Sequence, residues 1–212
     1  AGLPKIYTAD QIRKLERAAT ALRNPLDRVV IRTELRKFFA ALRNDDAVWD
    51  KFGDWLQEGS AAGGCLYGTA YKTKATEATA TRLRGGMPWI APLRGVCQPP
   101  SGWAHGYSAD LKALGLPEDA EFAAPPPRRV SAAATPGAAE PDEWVVAIRR
   151  ALRAAGLSPL EAKGIGLHSA KRSILTWASS SGIFTDRELE VLGHHRSAGI
   201  GKAVCAYNVT VL

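Results

Sequence analysis

His168-Ser169-Ala170-Lys171-Arg172, then Leu192-Gly193-His194-His195, then Tyr207 all fall within the last forty-five residues of a 212-residue chain. A histidine next to two cations, a histidine pair behind a Leu-Gly turn and a tyrosine thirteen residues past His194 are not what core packing asks for in that order. Together these side chains can grip a phosphodiester and attack it. Cations and imidazoles neutralise the charge that builds on phosphate oxygens, and a phenol with a free pKa of ~10 becomes a usable nucleophile where cations favour its phenolate.

Each motif also has a plainer interpretation. His168 and Lys171 are three apart, so on a helix they share a face, and backbone N–H groups at that helix start add to the pull on an anion. The same pattern suits a histidine near a helix start beside a solvated Lys-Arg pair. A helix that ends at Gly193 delivers His194 and His195 into a loop at a cleft; equally, a histidine there complements the negative end of the helix dipole. Zinc is disfavoured. Adjacent histidines rarely chelate one ion, and His168, His194, His195 and Cys205 lack metal-ligand spacing.

Composition sets the bounds. The chain is 46% hydrophobic and 23% charged, with 28 Lys and Arg against 21 Asp and Glu, a net charge of +7. An anionic partner fits that balance, and residues 61–100 hold Lys72, Lys74, Arg82, Arg84 and Arg94 against the single acid Glu77. Three cysteines without paired spacing suit a reducing, intracellular compartment, nuclear if the source is eukaryotic. No apolar run is long enough for a membrane span, and no signal peptide is recognised. The chain starts at Ala1 without an initiator Met, as expected of a fragment or processed product.

The pattern predicts a mainly helical α+β protein with a small antiparallel β-hairpin or sheet. Thr8-Ala-Asp-Gln11 is a capping box ahead of a helix running to about Leu22, and Asn24-Pro25 breaks it. A second helix is expected over 26–42 and a third around 47–56. Strands are expected at Cys65–Lys74 and Arg82–Ala91, joined by a Thr/Ala-rich turn. A short helix follows at 103–114. The stretch 122–141, with three consecutive prolines, is a linker or surface loop. Helices are expected at 142–155, 158–164, 168–180, 186–192 and 201–207. The whole is one catalytic-type domain over 1–212, with a helical part at 1–58, a hairpin region at 60–95 and a second helical part at 142–212.

These residues, in this order, resemble the tyrosine recombinase (phage integrase) family, which carries a first Arg, a hairpin Lys, a His-x-x-Arg box, a Leu-Gly-His box and a C-terminal Tyr. The likeness is nearest to divergent eukaryotic, transposon-type members, through His168-Ser-x-Lys171, Ile174-Leu-Thr-Trp-Ala178, Lys72-Thr73, Pro88-Trp-Ile-Ala-Pro92 and Trp103-Ala104. By that resemblance the first Arg is Arg43, in Phe38-Phe-Ala-Ala-Leu-Arg43-Asn-Asp-Asp46, twenty-nine residues before Lys72. Lys171 stands where the wider family has Arg, and Lys is a point charge rather than a two-pronged clamp. Both His194 and His195 fit the Leu-Gly box.

The resemblance implies DNA breaking and rejoining through a 3′-phosphotyrosyl link made by Tyr207. Arg43, Lys171 and Arg172 neutralise the phosphate, Lys72 protonates the leaving 5′-oxygen, His168 assists proton transfer, and His194 or His195 hydrogen-bonds the phosphate. Lys74, Arg82, Arg84 and Arg172 are the expected DNA-backbone contacts. No metal or nucleotide cofactor is required, because the covalent link conserves the bond energy. DNA is the implied partner, with assembly as a homo-oligomer on it. Two alternatives stay open: a decayed, transposon-derived protein that binds DNA without cutting it, and a basic helical scaffold or interaction protein.

Overall fold

In the computed structural model, the residues described are 5–59, 64–70, 87–96, 102–120, 122–125 and 140–193. The chain opens with α1 (Ala9–Ala21), whose start is a full capping box: Gln11 N–H donates to Thr8 Oγ1 at 3.2 Å, and Thr8 N–H donates to Gln11 Oε1 at 3.1 Å. Asn24 caps α2 (Pro25–Phe39) by accepting from Leu26 N–H at 2.9 Å, with Pro25 at the first helical position. This helix ends because Ala41 adopts φ +49°, so that Leu42 N–H turns back to the Lys37 carbonyl at 3.0 Å. The turn sends the chain straight into α3 (Asn44–Val48), with Arg43 at its N-cap.

Helix α2 is the axis of the molecule. α1, α3, α4 (Tyr107–Ala113), α5 (Pro141–Ala154), α7 (Ser169–Ser180) and strand β3 (Met87–Pro92) all pack against it. Val29, Val30, Ile31, Leu35 and Phe38 are buried, as an amphipathic stripe predicts, but so are Arg32, Glu34, Arg36 and Lys37. Its polar side is therefore covered too, and each buried charge must find a partner. Two short helices complete the C-terminal half: α6 (Pro159–Gly164), capped by Ser158 and Glu161, and α8 (Asp186–Leu192), capped by Thr185 and Glu188.

The third expected helix, over 47–56, is not formed. After α3 comes a single tight turn at Phe52–Asp54 and then strand β1 (Leu56–Glu58). The cause is Asp50. It bridges Ala70 through the backbone, and its carboxylate is drawn into the core, which a continued helix would not allow. β1 pairs antiparallel with β2 (Cys65–Ala70), and β2 with β3 (Met87–Pro92), in the order β1-β2-β3. The two expected strands are thus present within the described residues, as Cys65–Ala70 and Met87–Pro92, and a third joins them; residues 71–86 lie outside the described residues.

The helix expected from 103 starts at Tyr107 instead. Trp103 donates its indole N–H to the Pro92 carbonyl at 2.8 Å, and the carbonyls of Trp103 and His105 accept from the Arg32 guanidinium. Those backbone groups are occupied before a helix could use them. Phe122, Ala123 and Ala124 are buried, with Ala123 N–H donating to the Val48 carbonyl at 2.8 Å, so the first described residues of the 122–141 stretch belong to the core. The helix expected at 201–207 lies outside the described residues. No helix among the described residues is long and apolar enough to cross a membrane.

Candidate active site

The loop from α2 to α3 and the start of α7 bring together two groups that are far apart in the sequence. Arg43 is half-buried at the N-cap of α3. Its backbone N–H donates to Asp46 Oδ2 at 2.9 Å. Asp46 is thus held by backbone, and among the described residues the Arg43 guanidinium makes no ion pair or hydrogen bond. A solvent ion pair with Asp45 or Asp46, the ordinary use of a helix-end arginine, is not made. It leaves a cation at a helix start with capacity for an anion.

Lys171 sits in the first turn of α7, only 6% exposed. Its ammonium donates to the Gly193 carbonyl at 2.5 Å, at the C-cap of α8. Burial pushes this ammonium down to about 8, and the positive charge of Arg43 adds to the effect while Asp46 opposes it. The dependence on Arg43 places both cations in one electrostatic environment. Gly193 is the residue from which the chain enters His194-His195, so the Lys171 bond fixes the point of departure of that box. His168 is exposed at the N-cap of α7, and Arg172 is half-buried one residue past Lys171. Lys72, Lys74, Arg82, Arg84, His194, His195 and Tyr207 lie outside the described residues.

A buried polar chain holds the Arg43 turn in place. Lys37 Nζ donates to Glu34 Oε1 at 2.5 Å and to Asn44 Oδ1 at 3.3 Å, and Tyr7 O–H donates to Glu34 Oε2 at 3.1 Å. Tyr7 N–H donates to Ser173 Oγ at 2.7 Å, which donates in turn to the Ser169 carbonyl at 2.6 Å. This chain ties the N-terminal arm, α2, the residue after Arg43 and the first turns of α7 into one unit. Burial, with Glu34 adding, holds the Tyr7 hydroxyl well above its ordinary range, so it stays a donor.

A second buried group docks the sheet. Arg36 and Asp50 are fully buried and pair at 2.8 Å; Asp50 also accepts the indole N–H groups of Trp55 at 3.0 Å and Trp89 at 2.9 Å. The Arg36 guanidinium lies over the Trp55 ring at 4.4 Å, with Trp89 and Tyr107 beyond. Burial nonetheless pushes the Asp50 carboxyl up to about 6. The sheet packs this closely because position 68 is glycine: a Cβ there would stand 2.3 Å from the Trp89 ring. Strand β3 is therefore locked to α2.

Neither buried group was expected from the sequence. The available signal was Glu34 three residues before Lys37, a spacing at which opposite charges meet on a helix. Nothing local marks Asn44 or Asp50 as their partners. Among the described residues no cluster of His, Cys, Asp and Glu is grouped to hold a metal.

No family model matches the sequence, and no curated protein matches it. Solved structures do match in shape. The FLP recombinase–Holliday junction complex I superposes with a TM-score of 0.52 at 14% identity, over 95% of this chain and 46% of that one. The Flpe–Holliday junction complex gives 0.52 at 16% identity, over 99% and 49%. A lambda integrase tetramer bound to a Holliday junction gives 0.44 at 17% identity, over 98% and 49%. The chain spans about half the length of the recombinase chains it matches. Mainly helical with a three-stranded antiparallel sheet, it has a fold like that of tyrosine recombinase catalytic domains.

Proposed function

We propose that the chain is a DNA breaking-and-rejoining domain of the tyrosine recombinase/integrase type, acting through a 3′-phosphotyrosyl intermediate. The observation that carries this reading is that Lys171, at the start of α7, bonds the Gly193 turn and lies within electrostatic reach of Arg43 at the start of α3. Arg43 and Lys171 are two of the positions where the family places its phosphate-handling groups, they are 128 residues apart, and Gly193 leads directly into the His194-His195 box. Arg43, half-buried and without an ion partner among the described residues, is the group best placed to donate to a phosphate oxygen. In this reading Tyr207 attacks phosphorus, the bond to the 5′-oxygen breaks, and Lys72 supplies the proton that oxygen needs. His168 assists proton transfer, His194 or His195 hydrogen-bonds the phosphate, and Arg172 adds charge beside Lys171. Lys74, Arg82 and Arg84 contact the DNA backbone, and the chain works as a homo-oligomer on DNA.

A second reading has its own support. Lys171 is buried and already committed to a backbone carbonyl, so it is less available to a phosphate than an arginine would be. A chain of this design could bind DNA without cutting it. Nicked suicide duplexes separate the two. A covalent adduct with the wild-type chain, lost in Tyr207→Phe, supports the enzyme. Salt-sensitive binding with no adduct supports the non-catalytic binder. No duplex binding at roughly 50 mM salt refutes both.

A further inference from the structure

Several basic side chains among the described residues are neutralised by acids. Arg28 and Arg32 share Asp110, Arg36 pairs with Asp50, Lys37 with Glu34, Lys112 with Glu118, and Arg150 with Asp27. Other cations have no ion partner among the described residues, and three of these share one concavity. Helices α5 and α6 pack against each other and leave between them a cleft of about 270 Å³, lined by Val146, Arg149, Arg153, Pro159, Ala162 and Lys163. Three of the six are cations and none is an acid. Arg153 and Lys163 are exposed, and none of the three cations makes an ion pair with a described residue. Arg149 is steadied through its Nε, which donates to the Ile165 carbonyl at 3.4 Å, and its terminal nitrogens remain available.

We propose that this cleft seats the phosphate backbone of a DNA duplex, at a place separate from the Arg43–Lys171 site. The inference rests on the DNA reading given above and adds a named contact surface to it. Three like charges held around one concavity repel one another at a cost that an anion removes. The remaining lining suits the same ligand. Val146 is 67% exposed, and with Pro159 and Ala162 it forms an apolar floor against which the uncharged faces of deoxyribose can lie while phosphates meet the rim. Leu160, 72% exposed, extends that apolar surface along α6.

The position in the chain links the cleft to the candidate active site. Lys163 is in the last turn of α6, five residues before His168, and Arg149 is bonded to Ile165 within that short connection. At the end of α6 the chain is thinned by Gly164. The Lys5 side chain lies over it, so that a Cβ would come within 2.6 Å of Lys5 Cδ, and Lys5 N–H donates to the Gly164 carbonyl at 3.0 Å. A strand held in the cleft would be guided toward the exposed His168 by a connection of only a few residues. The cleft therefore anchors duplex beside the phosphate to be cut rather than the cut phosphate itself.

The test is the salt dependence of duplex binding by the full chain. The variants are Arg149→Gln/Arg153→Gln/Lys163→Gln and a control that removes equal charge elsewhere, Arg23→Gln/Lys112→Gln/Arg187→Gln. Each lost phosphate contact makes the slope of log K against log salt less steep by about 0.9, so the cleft variant's slope should become shallower by between about 2 and 3. The conservative pair Arg149→Lys/Arg153→Lys should keep the wild-type slope to within about 0.5. All substituted side chains are at least partly exposed, and thermal unfolding checks that the variants stay folded. An unchanged slope in the cleft variant overturns the proposal. So does an equal loss in the control, which would mean net charge rather than the cleft. A wild-type chain that binds no duplex at all removes the proposed function as well as the cleft, whereas an unchanged slope with intact binding removes the cleft alone.

Discussion

Replacing Lys171 by methionine keeps the length and most of the volume of a buried side chain and removes its charge. The wild-type ammonium is 6% exposed, and burial beside Arg43 lowers it from 10.5 to about 8. A lysine held down in the folded state binds fewer protons there than in the unfolded chain between these two values. Stability must therefore rise with pH across that window. Below it, the charged form is penalised by about 3 kcal/mol, since each tenfold loss of proton affinity is worth about 1.4 kcal/mol. Between roughly pH 7 and pH 9.5 about 2 kcal/mol of that penalty should be relieved. Urea unfolding at a series of pH values measures it directly. The difference between wild type and Lys171→Met should move by about 2 kcal/mol in favour of wild type as pH rises. Methionine also leaves the Gly193 carbonyl without its donor, a pH-independent cost of about 1–3 kcal/mol. A pH-independent difference between the two proteins would refute the burial of a charged Lys171 next to Arg43.

Arg43→Ala should raise the Lys171 ammonium partway toward 10.5, because burial remains but the nearby positive charge that disfavours it is gone; NMR titration of the lysine side chain would detect the change. The same variant should leave thermal stability within about 0.5 kcal/mol of wild type, since its guanidinium has no ion partner among the described residues. Gly68→Ala should cost about 1–3 kcal/mol and perturb the near-ultraviolet signal of Trp55 and Trp89, whose rings a Cβ would meet at 2.9 and 2.3 Å. Asp50→Ala should destabilise by about 3–5 kcal/mol in urea unfolding, because it strands a fully buried Arg36 and leaves two indole N–H groups without their acceptor.

What could be read from the sequence was what local chemistry specifies. Thr8 and Gln11 announce α1, Asn24-Pro25 its end and the start of α2, and Asp186–Leu192 runs as a helix between Thr185 and Gly193 as expected. The mainly helical class with a small antiparallel sheet followed from the same signals. Tertiary pairing was not legible. The stretch 47–56 has helical spacing, yet Asp50 is captured by Arg36 fourteen residues away and the chain turns into a strand instead. Charges on α2 look solvent-facing in the sequence and are buried in the fold, because helices and strands from distant segments close over them. Arg43 and Lys171 could be associated only through a family resemblance. No local pattern links residues 128 positions apart, and nothing near Lys171 foretold that its ammonium would reach the Gly193 carbonyl. The cleft between α5 and α6 was invisible for a related reason: Arg149 and Lys163 share a surface only after two helices pack.

Peptide mapping of a trapped protein–DNA adduct tests the account most directly. The chain would be incubated with a library of nicked duplexes of random sequence, and the covalent species digested and sequenced by mass spectrometry. The account predicts a single linked residue, Tyr207, joined to a 3′-phosphate with a 5′-hydroxyl released on the other strand end, and loss of the adduct in Arg43→Ala. Attachment through another residue or a 5′-phosphate would contradict it. So would firm duplex binding with no covalent species at any sequence.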